Sequence, residues 1–356
     1  MTTMETTITA LFGPSTLTIL GTYQCTAACK ECCFECHPGL SERLSGDEIL
    51  AAIDQANDFG TIKVVVFSGG ECFLLGDDLV RAVHRAHQYG FHVRCVSNGY
   101  WATSPKAAQS RLGPLVESGL TELNISTGDD HQEFVPFERV VEGALAAVEL
   151  GVRATIVVEG HQDSTFKMAQ ARSHPRLKPH IDSGRLRVIS NIWIPFYEDS
   201  NIQHDNGLSR DPGARSDVTG CDNILDNLVL TPSGLAASCC GLTMEHIPEM
   251  KIGRWDETPL TVLYQKQLSD FLKIWIHTDG PEHIMAWARA QDADGVPLTY
   301  GVHPCETCAL IHRNTRVREL LVTHYDSLVP EVMHRYFAKK ALERYMRRLP
   351  EPASTE

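Results

Sequence analysis

The sequence has no long run of apolar residues. No stretch approaches the roughly 18 residues that a membrane-spanning helix requires, although apolar residues make up 43% of the chain. The N-terminus, MTTMETTITALFG, has neither the basic start nor the apolar segment of a secretion signal. We therefore expect a globular, cytoplasmic protein that does not bind a membrane.

Basic residues are also few. The chain has 32 Lys and Arg against 45 Asp and Glu, which gives a formal net charge of −13. Proteins that bind nucleic acid need surplus positive charge to contact phosphates, so we expect no nucleic-acid partner. The sequence also lacks a solenoid-type repeat and a low-complexity tract. Its 356 residues suffice for one large domain and a smaller one.

Strand-like and helix-like segments alternate over the first two hundred residues. The clearest helix start is Ser45, because Glu48 follows it in the spacing of a capping box. Strands that are apolar on both faces favour a parallel sheet covered by helices, and six repeats fall short of the eight in a closed barrel. We predict an open, partial (β/α)6 barrel of the TIM type, with functional loops at the carboxyl ends of its strands. The predicted strands are 16–23, 63–71, 91–99, 121–127, 152–160 and 184–192.

The pattern changes near residue 200. Residues 198–217 are polar, contain Gly and Pro, and are typical of a linker or lid. The segment LVLTPSGLAASC (228–239) predicts a β-hairpin with its turn at PSG. The chain closes with a basic amphipathic helix over 330–349. We therefore predict a barrel (1–205), a small α+β domain (206–325), and a C-terminal helix and tail (326–356).

Six basic side chains lie on the C-terminal helix. We expect them to form a solvated face, and docking of an acidic peptide leader is the alternative. They are Arg335, Lys339, Lys340, Arg344, Arg347 and Arg348.

Twelve cysteines stand out in this composition, and five of them lie within CTAACKECCFEC at residues 25–36. In a reducing compartment such a cluster is more typical of metal binding than of disulfides. Cys25, Cys29 and Cys32 follow the first strand in C-x3-C-x2-C spacing. Three thiolates on a short loop can hold one face of a four-iron cluster and leave one iron open. An open metal position is typical of a catalytic site; a structural zinc site closed by another cysteine of the loop is the alternative.

Two further motifs lie at the ends of predicted strands. SGGE, from Ser68 to Glu71, ends the second strand. Its glycines allow the backbone to approach a ligand, and Glu71 offers a carboxylate to an ammonium group. NISTGDDH ends the fourth strand, where Ser126 offers a hydroxyl group to a ribose. Because barrels of this type place their chemistry at the carboxyl ends of their strands, we expect these motifs and the three cysteines to share one site.

Together these motifs resemble the radical S-adenosylmethionine (radical SAM) superfamily over about residues 15–200. The resemblance implies that the three cysteines hold a [4Fe–4S] cluster whose open iron chelates the amino and carboxylate groups of SAM. It also implies that Gly69, Gly70 and Glu71 hold the SAM amino group. One electron from the cluster would cleave SAM, and the 5′-deoxyadenosyl radical would remove a hydrogen atom from the substrate.

Three residues of the cysteine loop fall outside this pattern. The superfamily usually has an aromatic residue or His before the third cysteine, beside the adenine, whereas this sequence has Glu31. We therefore expect adenine packing to come partly from backbone or from another segment. Cys33 and Cys36 remain after the motif is assigned, and we expect them to be buried small side chains or incidental thiols near the cluster.

A second set of cysteines lies in the C-terminal part. Cys221 and Cys239 have C-x12-G-x4-C spacing, and Cys305 and Cys308 form a C-x2-C pair. Two such pairs can fully ligate a four-iron cluster, and a zinc ribbon is the alternative. The arrangement resembles the twitch domain, a short relative of the SPASM extension of some radical SAM enzymes. The resemblance implies that these four cysteines hold an auxiliary [4Fe–4S] cluster.

Cys240 directly follows one of these inferred ligands. A thiol is a good hydrogen-atom donor to a carbon radical, because its S–H bond is comparatively weak. Radical SAM epimerases of peptides and aminoglycosides use such a cysteine, so the resemblance makes Cys240 a candidate donor. The alternative is that Cys240 is a small residue of the core.

The resemblance also implies a class of substrate. Twitch and SPASM enzymes act mostly on ribosomally made peptides, and some act on other natural products, with a flavodoxin or ferredoxin as electron donor. We expect epimerisation, and oxidative crosslinking (thioether or carbon–carbon) or dehydrogenation is the alternative. A metal- or redox-sensing protein is the non-enzyme alternative, although SGGE argues against it. With about two dozen residues before Cys25, we expect the barrel and the twitch region to recognise a peptide substrate by themselves.

Overall fold

The computed structural model describes most of the chain, with gaps at both ends and at two internal segments. The linker predicted over 198–217 lies mostly outside the described part. Within that part, no helix is both long enough and apolar enough to cross a membrane. The described residues are 12–198, 200, 202, 220–296 and 301–346.

Among these residues, nine strands form a single sheet. They are β1 (Thr16–Leu20), β2 (Val64–Ser68), β3 (His92–Ser97), β4 (Glu122–Thr127), β5 (Arg153–Gly160), β6 (Leu186–Ile192), β7 (Asn227–Leu230), β8 (Leu235–Ala237) and β9 (Lys251–Arg254). Strands β1 to β6 are parallel and neighbour one another in chain order. This is the topology of an open (β/α)6 barrel, so the predicted fold class is confirmed.

Helices connect the parallel strands and begin where their capping residues predict. The backbone N–H of Ser45 donates to Glu48 Oε2 (2.7 Å), and the N–H of Glu48 donates to Ser45 Oγ (3.3 Å), which completes the predicted capping box. Ser104 caps a later helix by accepting from the N–H of Ala107 (3.2 Å). The helices between β1 and β6 are α1 (Gly46–Asn57), α2 (Asp77–Gln88), α3 (Pro105–Glu117), α4 (Asp129–Gln132), α5 (Phe137–Glu149), α6 (Met168–Ser173) and α7 (Lys178–Asp182).

Side chains along β1 alternate between the helix-facing side of the sheet, which is the core, and its concave side. Leu17 and Ile19 are fully buried in the apolar cluster shared with the helices. Thr18 lies between them and therefore faces the opposite, concave side of the sheet. Burial of each large aliphatic side chain contributes about 1.5–3 kcal/mol, so the helix-facing side holds the barrel together and the concave side is left for polar groups.

The predicted hairpin is confirmed. Strands β7 and β8 pair antiparallel, with Val229 opposite Ala237, and Gly234 takes a positive φ of 81° in the turn. Strand β7 also pairs parallel with β1, with Thr16 opposite Asn227. The hairpin therefore extends the barrel sheet. The domain boundaries at 205/206 and 325/326 remain predictions.

The C-terminal part is mostly helical and has its own apolar core. Trp275, 1% exposed, lies in that core, and so does Cys239. The last helix begins at Thr315, well before residue 330, where the sequence pattern placed its start, and Pro330 lies inside it. The helices are α8 (Leu260–Gln267), α9 (Phe271–Asp279), α10 (Pro281–Gln291), α11 (Pro304–Arg313) and α12 (Thr315–Met346).

The expectation of a solvated basic face on α12 is wrong for the first three of the six basic residues predicted to form it. Arg335 pairs with Asp279 (2.6 Å), and Lys339 donates to Asp222 (2.8 Å). Lys340 is only 6% exposed. These cations fail to form a solvated face because carboxylates distant in sequence attract them into the protein. Arg347 and Arg348 lie outside the described residues, and so does the side chain of Arg344.

Candidate functional site

A pocket opens at the carboxyl ends of the barrel strands. Cys25, Cys29 and Cys32 line it from the loop after β1, Gly69 and Gly70 from the end of β2, and Ser126 from β4. The structure thus brings together all three motifs that the sequence placed at strand ends. Glu71 belongs to the same segment, but its side chain is not among those that line the pocket.

The three cysteines are largely shielded from water. Burial raises the pKa of the Cys25 thiol to about 11 and raises the pKa of Cys29 further. By contrast, a hydrogen bond from the Cys36 thiol lowers the pKa of Cys32 to about 6. Buried thiols become thiolates when a metal compensates their charge. A set of three buried thiols at the mouth of a pocket therefore fits a metal cluster.

Gly69 and Gly70 are required because the cysteine loop approaches them closely. The N–H of Gly70 donates to the carbonyl oxygen of Thr22 (2.7 Å). A Cβ atom would lie 2.3 Å from that oxygen if built on Gly69, and 2.2 Å from the Gln24 carbonyl oxygen if built on Gly70. Gly69 also has a φ of +126°, which favours glycine. The glycines thus hold the cysteine loop against β2, in addition to lining the pocket.

The Glu71 carboxylate is fully buried and bonded to the protein itself. One oxygen accepts from the N–H of Phe73 (3.0 Å), and the other accepts from Ser97 Oγ (3.1 Å) and from the N–H of Asn98 (2.9 Å). Burial raises the pKa of this carboxyl to about 7. The side chain therefore joins the ends of β2 and β3, and contact between it and a ligand ammonium group remains a prediction.

Two ionisable residues line the pocket wall: His131, the last residue of the NISTGDDH motif, and Glu159, which sequence reasoning missed. The Glu159 carboxylate hydrogen-bonds to Ser126, and burial raises its pKa to about 8. His131 Nδ1 lies 4.0 Å from Glu159 Oε2, its ring stacks on Trp193, and burial lowers its pKa to about 4. Glu159 lies at the carboxyl end of a predicted strand, so the strand-end rule was a usable signal for it.

Glu31 links the cysteine loop to the segment after β6. It is 2% exposed, and its Oε2 accepts from the backbone N–H of Phe196 (2.9 Å). The hydroxyl of Tyr197 donates to Glu35 of the same loop (3.1 Å). Phe196 and Trp193 line the pocket. The segment after β6, and not the cysteine loop, therefore supplies these aromatic rings to the pocket.

The four C-terminal cysteines converge around Gly241. A Cβ built on Gly241 would lie 3.1 Å from Cys305 Sγ and 3.6 Å from Cys239 Sγ. Burial, and then the neighbouring thiols of Cys239, Cys305 and Cys221, raise the pKa of Cys308 well above its usual value. The ring of His277 lies with Nδ1 3.2 Å from the carbonyl oxygen of Cys221. Four shielded thiols that are close enough to affect one another electrostatically fit a second metal centre.

Two further cysteines, Cys240 and Cys33, lie near these two sets. Cys240 hydrogen-bonds to Thr18 on the concave side of β1, and burial raises its pKa to about 11. Cys33 lines the pocket, and its pKa is raised by burial and by several nearby groups that include Cys240 and Cys305. Cys36 is buried, as expected, and its thiol bonds to Cys32.

Comparison with known proteins identifies which part of this chain resembles them. The family model described as the radical SAM superfamily matches residues 19–169. YydG of Bacillus subtilis (strain 168), named as a peptide biosynthesis protein, is 30% identical over 112 residues. That alignment spans 32% of this chain and 35% of YydG, so it covers about a third of the relative.

Solved structures also resemble the chain, at lower identity. BtrN in complex with AdoMet and 2-DOIA has a TM-score of 0.46 at 13% identity, over 76% of this chain and 89% of BtrN. Streptococcus suis SuiB bound to the precursor peptide SuiA has a TM-score of 0.43 at 13% identity, over 74% of this chain and 67% of SuiB. Likeness at this level carries no conclusion about chemistry. The family match runs from the end of β1 through β5 and includes the cysteine loop and the SGGE motif. It covers less than half of the chain, so what the comparison shows is that residues 19–169 resemble the radical SAM superfamily.

Proposed function

We propose that this protein is a radical SAM enzyme that epimerises a residue of a ribosomally made peptide, with Cys240 as hydrogen-atom donor. The observation that carries the proposal is the position of Cys240. Its thiol bonds to Thr18 on the concave side of β1, it directly follows Cys239 of the second cysteine set, and it is close enough to raise the pKa of Cys33, which lines the pocket of the first cysteines.

The first three cysteines fit a [4Fe–4S] cluster with an open iron. Cys25, Cys29 and Cys32 would hold three irons, and the backbone of Gly69 and Gly70 would face SAM across the pocket. When bound, the cluster and SAM supply a radical that removes a hydrogen atom from a substrate C–H bond. The protein contributes a pocket whose walls exclude water and position the reacting groups.

Sulfur spacing supports clusters over zinc at both sites. Four thiolates around one zinc ion lie about 3.8 Å from one another, given Zn–S bonds of about 2.3 Å. Among the described residues, no three cysteine sulfurs lie within 4.8 Å of one another. A four-iron cluster separates its thiolates more widely, so Cys221, Cys239, Cys305 and Cys308 are proposed to hold an auxiliary [4Fe–4S] cluster.

Cys240 would donate a hydrogen atom to the substrate radical, on the face opposite to the one from which the first hydrogen atom was removed. Its S–H bond breaks, a C–H bond forms at the substrate radical with inverted configuration, and a thiyl radical remains on Cys240. One electron from a flavodoxin or ferredoxin and one proton would restore the thiol, and an auxiliary cluster held by the second cysteine set would supply the electron-transfer chemistry. The substrate is neither oxidised nor reduced, and the reductive cleavage of SAM consumes one further electron from the same donor.

A peptide substrate is supported by one relative. YydG is named for peptide biosynthesis, and it is 30% identical over the 112 aligned residues. Oxidative crosslinking or dehydrogenation of a peptide is the second candidate, because the second cysteine set would also suit removal of an electron from the substrate radical.

Metal analysis is the first test. We expect about eight irons in the anaerobic wild type and about four in a Cys25/Cys29/Cys32 triple-Ala variant. SAM cleavage should occur in the wild type and be lost in the variant. Zinc at the second site with about four irons would remove the auxiliary cluster. Zinc throughout, with no iron after reconstitution, would overturn the enzyme and favour a metal-sensing protein.

Replacement of Cys240 separates the two reactions. A peptide that the wild type modifies in D2O should gain one mass unit by epimerisation and should lose two by oxidation. We expect Cys240→Ala to abolish the gain while SAM cleavage continues. Cys33→Ala, which removes a thiol that lines the pocket and is not proposed as a cluster ligand, is the matched control and should retain deuterium incorporation. Modification that survives in Cys240→Ala would contradict the donor role.

A further inference from the structure

A second cavity lies beside the pocket of the first cysteines. Its volume is about 390 Å³, within the range of ligand-binding cavities. The segment after β6 separates the two spaces, because Ile194 and Phe196 line both. The opposite wall is α11, the helix that carries Cys305 and Cys308. The cavity therefore adjoins both proposed cluster sites.

The cavity wall has polar groups that the protein leaves without partners. Thr307 is 1% exposed, and its Oγ1 has no hydrogen-bond partner among the described residues. His246 stacks its ring on Phe196, with 5.0 Å between centroids, and within the described structure its buried Nε2 also has no partner. Buried polar groups normally have partners. An extended peptide supplies an N–H and a C=O at each residue, so it can satisfy such groups.

One basic side chain of the cavity wall is available to an acidic ligand. Arg313 lines it from the end of α11 and is exposed. Glu306 also lines it, but its carboxylate accepts from the N–H of His303 (3.0 Å) and caps the helix. Thr243 is likewise engaged, since its hydroxyl donates to the carbonyl oxygen of Cys305 (3.1 Å). Arg313 is thus the charged side chain of this wall that can pair with a ligand carboxylate.

We propose that this cavity binds the part of a peptide substrate that flanks the modified residue, and that Arg313 selects an acidic side chain there. The inference rests on the proposed function, because it assumes that the substrate is a peptide that reaches the pocket past Ile194 and Phe196. Apolar wall residues such as Leu310 would contact the side chains beside the acidic one.

A selection from an mRNA-displayed random peptide library on the anaerobic, reconstituted full-length protein tests the proposal. We expect peptides bound by the wild type to be enriched in Asp or Glu at one position by about two- to fivefold, the effect of one exposed ion pair. Arg313→Gln should remove this enrichment. Arg313→Glu should reverse it and select Lys or Arg.

Arg318→Glu is the matched control, because Arg318 is an exposed arginine near Arg313 that does not line this cavity. It should retain the acidic preference. The proposal is overturned if the wild type shows no acidic enrichment, if Arg313→Glu keeps it, or if Arg318→Glu reverses it as well. The readout is bound peptide, whereas the proposed function is judged by iron content and SAM cleavage, so the two failures are distinguishable.

Discussion

The backbone N–H of Asn98 donates a hydrogen bond to the Glu71 carboxylate over 2.9 Å. The same carboxylate oxygen accepts from Ser97 Oγ, which in turn accepts from Trp101 Nε1 (2.9 Å). Trp101 stacks on Phe73 with 4.5 Å between ring centroids. The last residue of the SGGE motif is therefore the centre of a buried network that fixes the loops after β2 and β3.

Replacement of this carboxylate should destabilise the fold. Glu71→Gln turns one acceptor oxygen into an NH2 group that faces the N–H of Phe73, so a buried donor loses its partner. We expect a loss of about 1–3 kcal/mol in the free energy of unfolding, measured by urea denaturation. Glu117→Gln, at an exposed site on α3, should change it by less than about 0.5 kcal/mol. Equal midpoints for the two variants would contradict the network.

A methyl group on Gly70 should disrupt the cysteine loop. In Gly70→Ala the new Cβ would lie 2.2 Å from the Gln24 carbonyl oxygen, so the loop must move. We expect the iron content to fall from about eight to about four. Gly113→Ala is the control, because a Cβ there meets nothing within 4 Å and alanine favours a helix interior by about 0.5–1 kcal/mol. Full iron content in Gly70→Ala would rule out this role.

His131 should make stability depend on pH. Its pKa falls from 6.5 to about 4 on folding because it is buried. As the pH drops below 6.5, the unfolded chain binds a proton that the folded chain does not, so stability is lost between pH 6.5 and 4. The loss reaches about 2 kcal/mol at pH 5. His131→Phe keeps an aromatic ring against Trp193 and lacks this loss.

The comparison that checks this is urea unfolding of the wild type and of His131→Phe at pH 7.5 and pH 5. The difference between their unfolding free energies should shift by about 2 kcal/mol in favour of the variant at the lower pH. The same difference at both pH values would show that His131 titrates alike in the folded and unfolded states.

Lys340 should be essential for the stability of the C-terminal part. Its ammonium group lies 3.0 Å from Asp226 and 3.1 Å from Glu343. Lys340→Met leaves these shielded carboxylates without a cation, at a cost of about 3–5 kcal/mol. Lys178→Met removes a pair with Asp182 whose two side chains are 60% and 61% exposed, so it should cost less than about 1 kcal/mol. Thermal unfolding measures both variants. Similar losses of stability in the two would contradict the difference between the shielded and the exposed ion pair.

Local features of the fold could be predicted from the sequence. Short apolar segments located β1 to β6, and side-chain caps such as Ser45 and Ser104 located helix starts, because both depend on neighbours in the chain. The turn residues around Gly234 located the hairpin for the same reason. The strand-end rule then placed the cysteine loop, SGGE and Ser126 at one edge of the sheet.

Contacts between distant segments could not be predicted. Lys340 and Asp226 are 114 residues apart, and a sequence pattern shows a basic helix face without its partners. The Glu71 carboxylate meets Asn98 because of how β2 and β3 align, which a motif does not specify. Glu159 belongs to no motif, and the pKa shifts of Glu159 and His131 arise from burial.

The pairing of β7 with β1 has a consequence for how the chain can be divided. Strand β1 has β2 on one side and β7 on the other, so a fragment ending at the predicted boundary at residue 205 would expose one full edge of β1. Exposed strand edges invite aggregation. The spacing between the two cysteine sets is also set by backbone hydrogen bonds across three adjacent strands. The barrel and the hairpin therefore form one structural unit, and the two should be expressed together.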